Sequence, residues 1–242
     1  VKKILNWMSS RGTVVLASLL TFGALLAAQS PTAADPAEVA PAPNQPAVDN
    51  SRILGVIPNY LAVEDPTVAV PPLTARGKWK LFVKETFDPF TPAASALGAG
   101  ISQISNDHPE YGRGGTAYAK RFGAALGDVT SQNFFSDYFL ASVLHEDPRY
   151  FRKGPDFGWM NRVGYSLSRA LVTRKDSGTR TFNYSSVFGT VMGIGFSNLY
   201  YPPESRTGGV MISRLGTGLL ASALGNLLPE FWPDIHQWLK RK

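Results

Sequence analysis

The chain has 242 residues, of which 44% are hydrophobic and only 17% charged, with a net charge of +6 and no cysteine. An average soluble domain carries about 25% charged residues, so a disordered polyelectrolyte is excluded, and the chain is still too polar to consist only of lipid-facing helices. Without thiols there are no disulfides, thiol nucleophiles, iron–sulfur ligands or cysteine zinc sites, and three histidines leave little for a histidine metal centre.

Lys2, Lys3 and Arg11 precede the apolar run Thr13–Ala28. A basic start, a short apolar core and small residues after it describe a secretory signal over residues 1–28, cleaved after Ala28 or after Ala34. The run has sixteen residues, short of the roughly 20 a spanning helix needs, although an uncleaved anchor is the alternative. Without those three cations the net charge falls to +3, which Lys240, Arg241 and Lys242 account for. No basic stripe remains for a phosphate backbone, and nucleic acid is not an expected partner.

Residues 29–73 read as a Pro/Ala-rich extended linker, punctuated by Pro31, Pro36, Pro41, Pro43 and Pro46 and later by Pro58, Pro66, Pro71 and Pro72. Thr74 is placed to cap a short amphipathic helix that opens the domain 74–242. Trp79, Phe82, Val83 and Phe87 share one of its faces. That face either lies in a membrane interface or packs onto the domain.

Beyond Asp88 the apolar period is helical, and the expected fold is all-α: about six helices as three tandem helical hairpins. Three segments share a Pro-led turn and then a helix carrying Arg, an apolar residue, Gly and, three positions on, Leu. They are Pro109 with Arg121-Phe122-Gly123 and Leu126, Pro148 with Arg162-Val163-Gly164 and Leu167, and Pro203 with Arg214-Leu215-Gly216 and Leu219. The stretches Pro92–Ser105, Ser131–His145 and Phe182–Tyr200 supply the first helix of each hairpin. The intervals, 41 and 52 residues between the arginines, are unlike a regular solenoid.

Small residues recur every four positions at Gly115, Ala119, Gly123, Gly127 and Ser131, at Ser185, Gly189, Gly193 and Ser197, and at Gly209, Ser213, Thr217, Ala221 and Gly225. That interval keeps them on one helical face, where backbones can approach closely, as in helices packed within membranes. Thr181–Pro203 contains no charge over 23 positions, nor does Pro89–Asn106 over 18. A β-barrel is disfavoured, because Phe134–Leu140 does not alternate apolar and polar residues.

His145-Glu146-Asp147-Pro148-Arg149 is the densest polar cluster. His145, Glu146 and Arg149 are candidates for acid–base work and anion binding, against capping of a helix end by His145 and Pro148. Gly164-Tyr165-Ser166-Leu167-Ser168 lacks the strand-to-helix context of a nucleophile elbow. Lys175–Arg180 reads as an exposed turn between two helices. Pro229–Ile235 reads as a break in the last long helix. Arg113, Arg152 and Arg206 flank the three turns, where side-by-side hairpins would ring them into a lipid-phosphate or other anion site. No metal site or cofactor is expected.

These features point to an exported, membrane-associated helical protein of the cell envelope in a structural, lipid-contacting or passage role. Membrane lipid is the expected partner, and a second copy or another envelope protein is compatible. The alternative is a soluble periplasmic enzyme built on the His145–Arg149 cluster.

Overall fold

A computed structural model describes residues 51–63 and 70–241. The expected signal and most of the expected linker lie outside these residues. Short strands β1 (Arg52–Ile53) and β2 (Ile57–Pro58) pair antiparallel, and β3 (Ala62–Val63) pairs parallel with β5 (Tyr150–Phe151). Helices α1 (Ala75–Thr86) and α2 (Phe90–Ile104) lead to a 3-10 turn, Pro109–Tyr111. Helix α3 (Gly115–Asn133) runs on through a π-helical turn, Phe134–Leu140, into a last α-helical turn, Ala141–Val143. Strand β4 (Glu146–Asp147) and β5 follow, then α4 (Trp159–Ser168), β6 (Val172–Lys175), β7 (Arg180–Phe182) and α5 (Tyr184–Ser197). A second 3-10 turn, Pro203–Arg206, precedes α6 (Gly208–Gly225) and α7 (Leu227–Lys240).

The chain is therefore mostly helical, with few short strands. Its caps follow the sequence. Thr74 Oγ1 accepts from Gly77 N at 3.1 Å, Asn183 Oδ1 from Ser186 N at 3.1 Å, and Thr207 Oγ1 from Val210 N at 3.4 Å. Each satisfies one of the orphan donors of a first helical turn.

Three tandem hairpins are not what forms. Ser131–His145 is no separate helix but the continuation of α3, so the second Pro-led turn is preceded by the helix that closes the first hairpin. That second turn carries β4 and β5, and Lys175–Arg180 is the tip of a β-hairpin. Strands β4, β6 and β7 form an antiparallel sheet in that order. At its tip Gly178 holds φ +86°, a left-handed conformation that costs glycine little. Pro229–Ile235 does not break the last helix. Asn226 separates α6 from α7, and Pro233 lies inside α7.

Helix α3 is the spine. Its first half packs on α2, its second half on α1 and α5. The α3–α5 seam is where small residues act as expected. A Cβ on Gly189 would lie 2.6 Å from Ser136 Cα, and one on Gly193 would lie 3.3 Å from Gln132 Cα. The third small-residue stripe is turned the other way. Gly209, Ser213, Thr217, Ala221 and Gly225 are all exposed, and α6 instead approaches α5 through Gly218, where an added Cβ would lie 3.6 Å from Thr190 Cγ2.

The interior is unusual in what fills it. The largest fully buried side chains are Lys78, Glu146, Glu230, Ser166 and Ser197, whereas large apolar side chains such as Ile104 (89% exposed), Leu199 (73%) and Leu97 (71%) face outward. Lys78 Nζ donates to Ala141 O (3.0 Å) and to Asp176 Oδ2 (2.7 Å), which fixes α1 against the end of α3. Phe82 is buried among Trp79, Phe134 and Tyr138, while Phe87 is exposed; α1 thus packs onto the domain through part of its aromatic face.

Gly189→Ala forces the α3–α5 backbones apart and is expected to cost about 1–3 kcal/mol, as overpacking does. Gly123→Ala, whose Cβ meets nothing within 4 Å, is expected to be neutral or to stabilise by up to about 1 kcal/mol. Thermal unfolding of both variants in mild detergent measures the contrast.

Candidate functional site

Two buried carboxylates, Glu230 and Glu146, and the partly exposed Asp128 organise the domain. Glu230 of α7 accepts from Tyr150 OH (2.8 Å), Arg162 Nε (2.8 Å), Lys153 N (2.9 Å) and Gly154 N (3.3 Å). Its backbone carbonyl accepts from Arg152 Nε (2.8 Å) and Arg162 Nη2 (2.7 Å), and both arginines also pair with Asp234. In the middle of α3, Asp128 accepts from Tyr200 OH (2.7 Å), Tyr201 OH (2.8 Å) and Arg214 Nη2 (2.8 Å). Burial and Asp128 itself hold both phenols above their ordinary pKa. Glu146 accepts from Ser185 N (2.8 Å) at the first turn of α5.

The recurrent arginines thereby acquire a common role. Arg121 donates to the carbonyls of Asp107 (2.9 Å), His108 (3.0 Å) and Gly112 (3.1 Å), all in the turn before its helix. Arg162 reaches its preceding turn through Glu230, and Arg214 donates to Ser197 Oγ (2.8 Å) at the end of α5. Each ties a helix to the connection that leads into it.

Beside this framework lies a cavity of about 390 Å³, walled by residues 57–62, the end of α1, the π turn, β5–β6, the start of α5 and the α6–α7 corner. The π turn matters here. Its extra residue per turn carries Ser136 onto Gly189 and sets Asp137 in the cavity wall. Asp137 shares that wall with Glu85. Burial and the like charge of Asp137 push the Glu85 carboxyl up to about 8, against a smaller opposing pull from Lys84. Burial pushes Asp137 up to about 7. Arg149 just before β5, Arg169 at the C-cap of α4 and Arg174 of β6 line the cavity, as do Asn59, Asn133, Asn183 and Asn226.

The expected catalytic cluster does not converge. His145 is exposed with φ +55°, its Nδ1 3.2 Å from Val143 O. Glu146 is buried against α5. Arg149 is held by Asp147 through Nε (2.9 Å) and Nη2 (2.6 Å) and by Pro71 O (2.8 Å). The expected arginine ring does not close either. His108 Nδ1 lies 2.7 Å from Ser205 Oγ, which joins the turns bearing Arg113 and Arg206. Arg152 is instead buried with Glu230 and Asp234, and Arg206 Nε is spent on Tyr201 O (2.7 Å). Ser166, in the elbow-like motif, is a fully buried residue within α4, 2.9 Å from Tyr150 OH.

Sequence reasoning missed Glu85, Asp137, Glu230 and the cation-rich segment Arg169–Arg180. Only the last had a visible signal, four cations within twelve residues. Among the described residues, no group of three or more histidines and carboxylates is placed to hold a metal ion. The chain matches no family model, no curated protein and no solved structure.

Folding raises the Glu85 pKa from 4.5 to about 8. The folded protein therefore keeps a proton that the unfolded chain releases, and stability falls as pH rises through that window. Glu85→Gln removes this loss. Its Tm is expected to match wild type near pH 4.5 and to exceed it at pH 8, by about 2–4 °C for each kcal/mol recovered in a chain of this size. Calorimetry at the two pH values reads the difference directly.

Proposed function

We propose that this is an exported, membrane-associated helical protein of the cell envelope that works in contact with lipid. The observation that supports the reading is the inversion of the domain. Charges and small polar residues share the interior with a small apolar set that includes Phe82, Ile194, Leu219 and Trp232, while Leu97 and Ile101 of α2, Phe188 and Phe196 of α5, and Leu220 and Leu224 of α6 face outward. In water each such side chain forgoes about 1.5–3 kcal/mol of burial free energy, which a bilayer restores. Contiguous apolar faces of this kind mark interaction or membrane sites.

The outward faces of these helices carry little charge. Residues 89–106 and 181–203 contain none, and Arg214, the only charged residue of α6, is turned inward to Asp128. Helices α2 and α5, of 15 and 14 residues, reach only about 21–22 Å at 1.5 Å per residue. Among the described residues, the run Gly208–Lys240 is long and apolar enough to cross a membrane. Phe182 and the exposed Tyr184 meet edge to face at the start of α5, as interfacial rings do, whereas Tyr200 and Tyr201 beyond its end are turned onto Asp128. The alternative, catalysis by His145, Glu146 and Arg149, has no shared pocket or mutual contact to support it.

Membrane fractionation and vesicle flotation test the reading. Wild type is expected to stay with membranes through an alkaline carbonate wash and to float with phosphatidylcholine vesicles. Replacing Phe188, Val191 and Leu199 together by Asn is expected to lower the bound fraction at least about tenfold, since each 1.4 kcal/mol is a factor of ten. Release of wild type as a soluble, non-floating monomer would overturn the proposal.

A further inference from the structure

Nearly every ion pair in this domain joins a cation to a carboxylate that also anchors an element. Arg52 pairs with Asp88, Lys78 with Asp176, Arg149 with Asp147, Arg152 with Asp234, Arg162 with Glu230 and Arg214 with Asp128. Against that pattern, Lys153, Arg169, Arg174 and Arg180 form no salt bridge among the described residues, although they lie close enough to repel one another. Arg174 and Arg180 are direct partners across the β6–β7 ladder, an arrangement that like charges destabilise. Burial lowers the Arg169 pKa, with smaller contributions from Arg180 and Arg174, against opposing pulls from Tyr165 and Tyr150. Burial, Arg180 and Arg169 likewise lower that of Lys153, against a pull from Glu230.

Aromatic faces hold Lys153, Arg169 and Arg174 without neutralising them, and Lys153 Nζ also donates to Asn161 Oδ1 at 2.6 Å. Arg169 lies 4.7 Å and Lys153 5.5 Å from the Tyr165 ring, and Arg174 lies 4.4 Å from the Phe151 ring. The Tyr165 ring is itself fixed by its hydroxyl, which donates to Phe151 O at 2.6 Å. Stacking leaves guanidinium N–H groups to point elsewhere, and Arg169 Nε is buried with no hydrogen-bond partner. A buried donor without a partner is costly, and one on a cation more so.

The nearby carboxylates are committed. Asp147 lies opposite Arg174 on β4–β6, but Arg149 Nε contacts both of its oxygens. Glu230 is saturated by Arg162, Tyr150 and two backbone N–H groups. Glu85 and Asp137 stand on the wall made by α1 and the π turn, and the charges acting on Glu85 are Asp137 and Lys84, not these arginines.

We infer that Arg169, Arg174, Arg180 and Lys153 bind a phosphate-bearing ligand where the cavity meets the β6–β7 hairpin. Arg169 and Arg174 line the cavity, and their guanidinium groups offer the forked donors that match phosphate oxygens. Exposed Arg180 stands two residues before Phe182, where the chain enters the outward apolar face of α5. A lipid headgroup and free phosphate share this chemistry. The inference does not depend on membrane association, because inorganic phosphate alone can fill the site.

Titration calorimetry of the full chain in dodecyl maltoside micelles, with inorganic phosphate and separately with dioctanoyl phosphatidate, tests it. Saturable binding of at least one is expected, weakened tenfold or more in R169Q/R174Q and unchanged in R76Q, which removes an exposed cation elsewhere. Tighter binding of phosphatidate assigns the site to a lipid headgroup; equal binding of both assigns it to the phosphate group alone. R169Q/R174Q relieves repulsion, so its Tm is expected to hold or rise. If it fails to fold, exposed Arg180→Gln carries the test with a several-fold loss. Absence of saturable wild-type binding, or undiminished binding by the variants, overturns the inference. Flotation on neutral phosphatidylcholine is expected to be unchanged in R169Q/R174Q, which separates failure of this site from failure of membrane association.

Discussion

Burying a carboxylate requires that its charge be paired and its oxygens be hydrogen-bonded, and the architecture around Glu230 and Asp128 is arranged to meet that requirement. Glu230 draws Arg162 from α4, Tyr150 from β5 and the backbone of residues 153–154 onto α7. Asp128 draws the end of α5 and Arg214 of α6 onto α3. Removing Arg162 leaves Glu230 as an uncompensated buried charge, typically a loss of about 3–5 kcal/mol. Tertiary order is therefore concentrated at a few polar junctions instead of being spread over a hydrocarbon core.

Those junctions explain both the small residues and the outward apolar ones. Polar hubs need helices near enough for one carboxylate to reach three elements, and the Gly189–Ser136 and Gly193–Gln132 contacts supply that approach. With Ser166, Ser197, Glu146 and Glu230 taking part of the interior, few Leu, Ile and Phe side chains, Phe82, Ile194 and Leu219 among them, are buried there. The others among the described residues are wholly or partly exposed on the outside. The apolar exterior is thus the complement of the polar interior. The cavity at the hub end inherits its character from the same choice, with protonatable carboxyls on one wall and unneutralised arginines near the other.

How much of this was legible in the sequence depended on the range of the interaction. The cap at Thr74 is local and was readable, as was the hairpin of α2 and α3; the caps at Asn183 and Thr207 are equally local but were not read. The arginines of the weak repeat were visible as a pattern, but their purpose was not, because their partners lie in a preceding turn for Arg121, in α7 for Arg162 and in α3 and α5 for Arg214. Continuity of α3 was hidden by the π turn, since an added residue shifts the apolar period in mid-helix. The α6 stripe misled because a four-residue interval identifies a face without saying which way it points. Strands of two to four residues carry too little alternation to announce β4–β7. Glu85 and Asp137 meet only through the packing of α1 on α3, and no spacing reveals that.

The account rests on the outer faces of α2, α5 and α6 being solvated by hydrocarbon while the hubs stay sealed. Labelling the protein in phosphatidylcholine bilayers with a membrane-soluble carbene precursor, and mapping adducts by mass spectrometry, addresses this directly. Adducts are predicted at Leu97, Ile101, Phe188, Phe196, Leu220 and Leu224 and not at Ala99, Ile194 or Leu219. Equal labelling of the two sets, or none on the first, would contradict it.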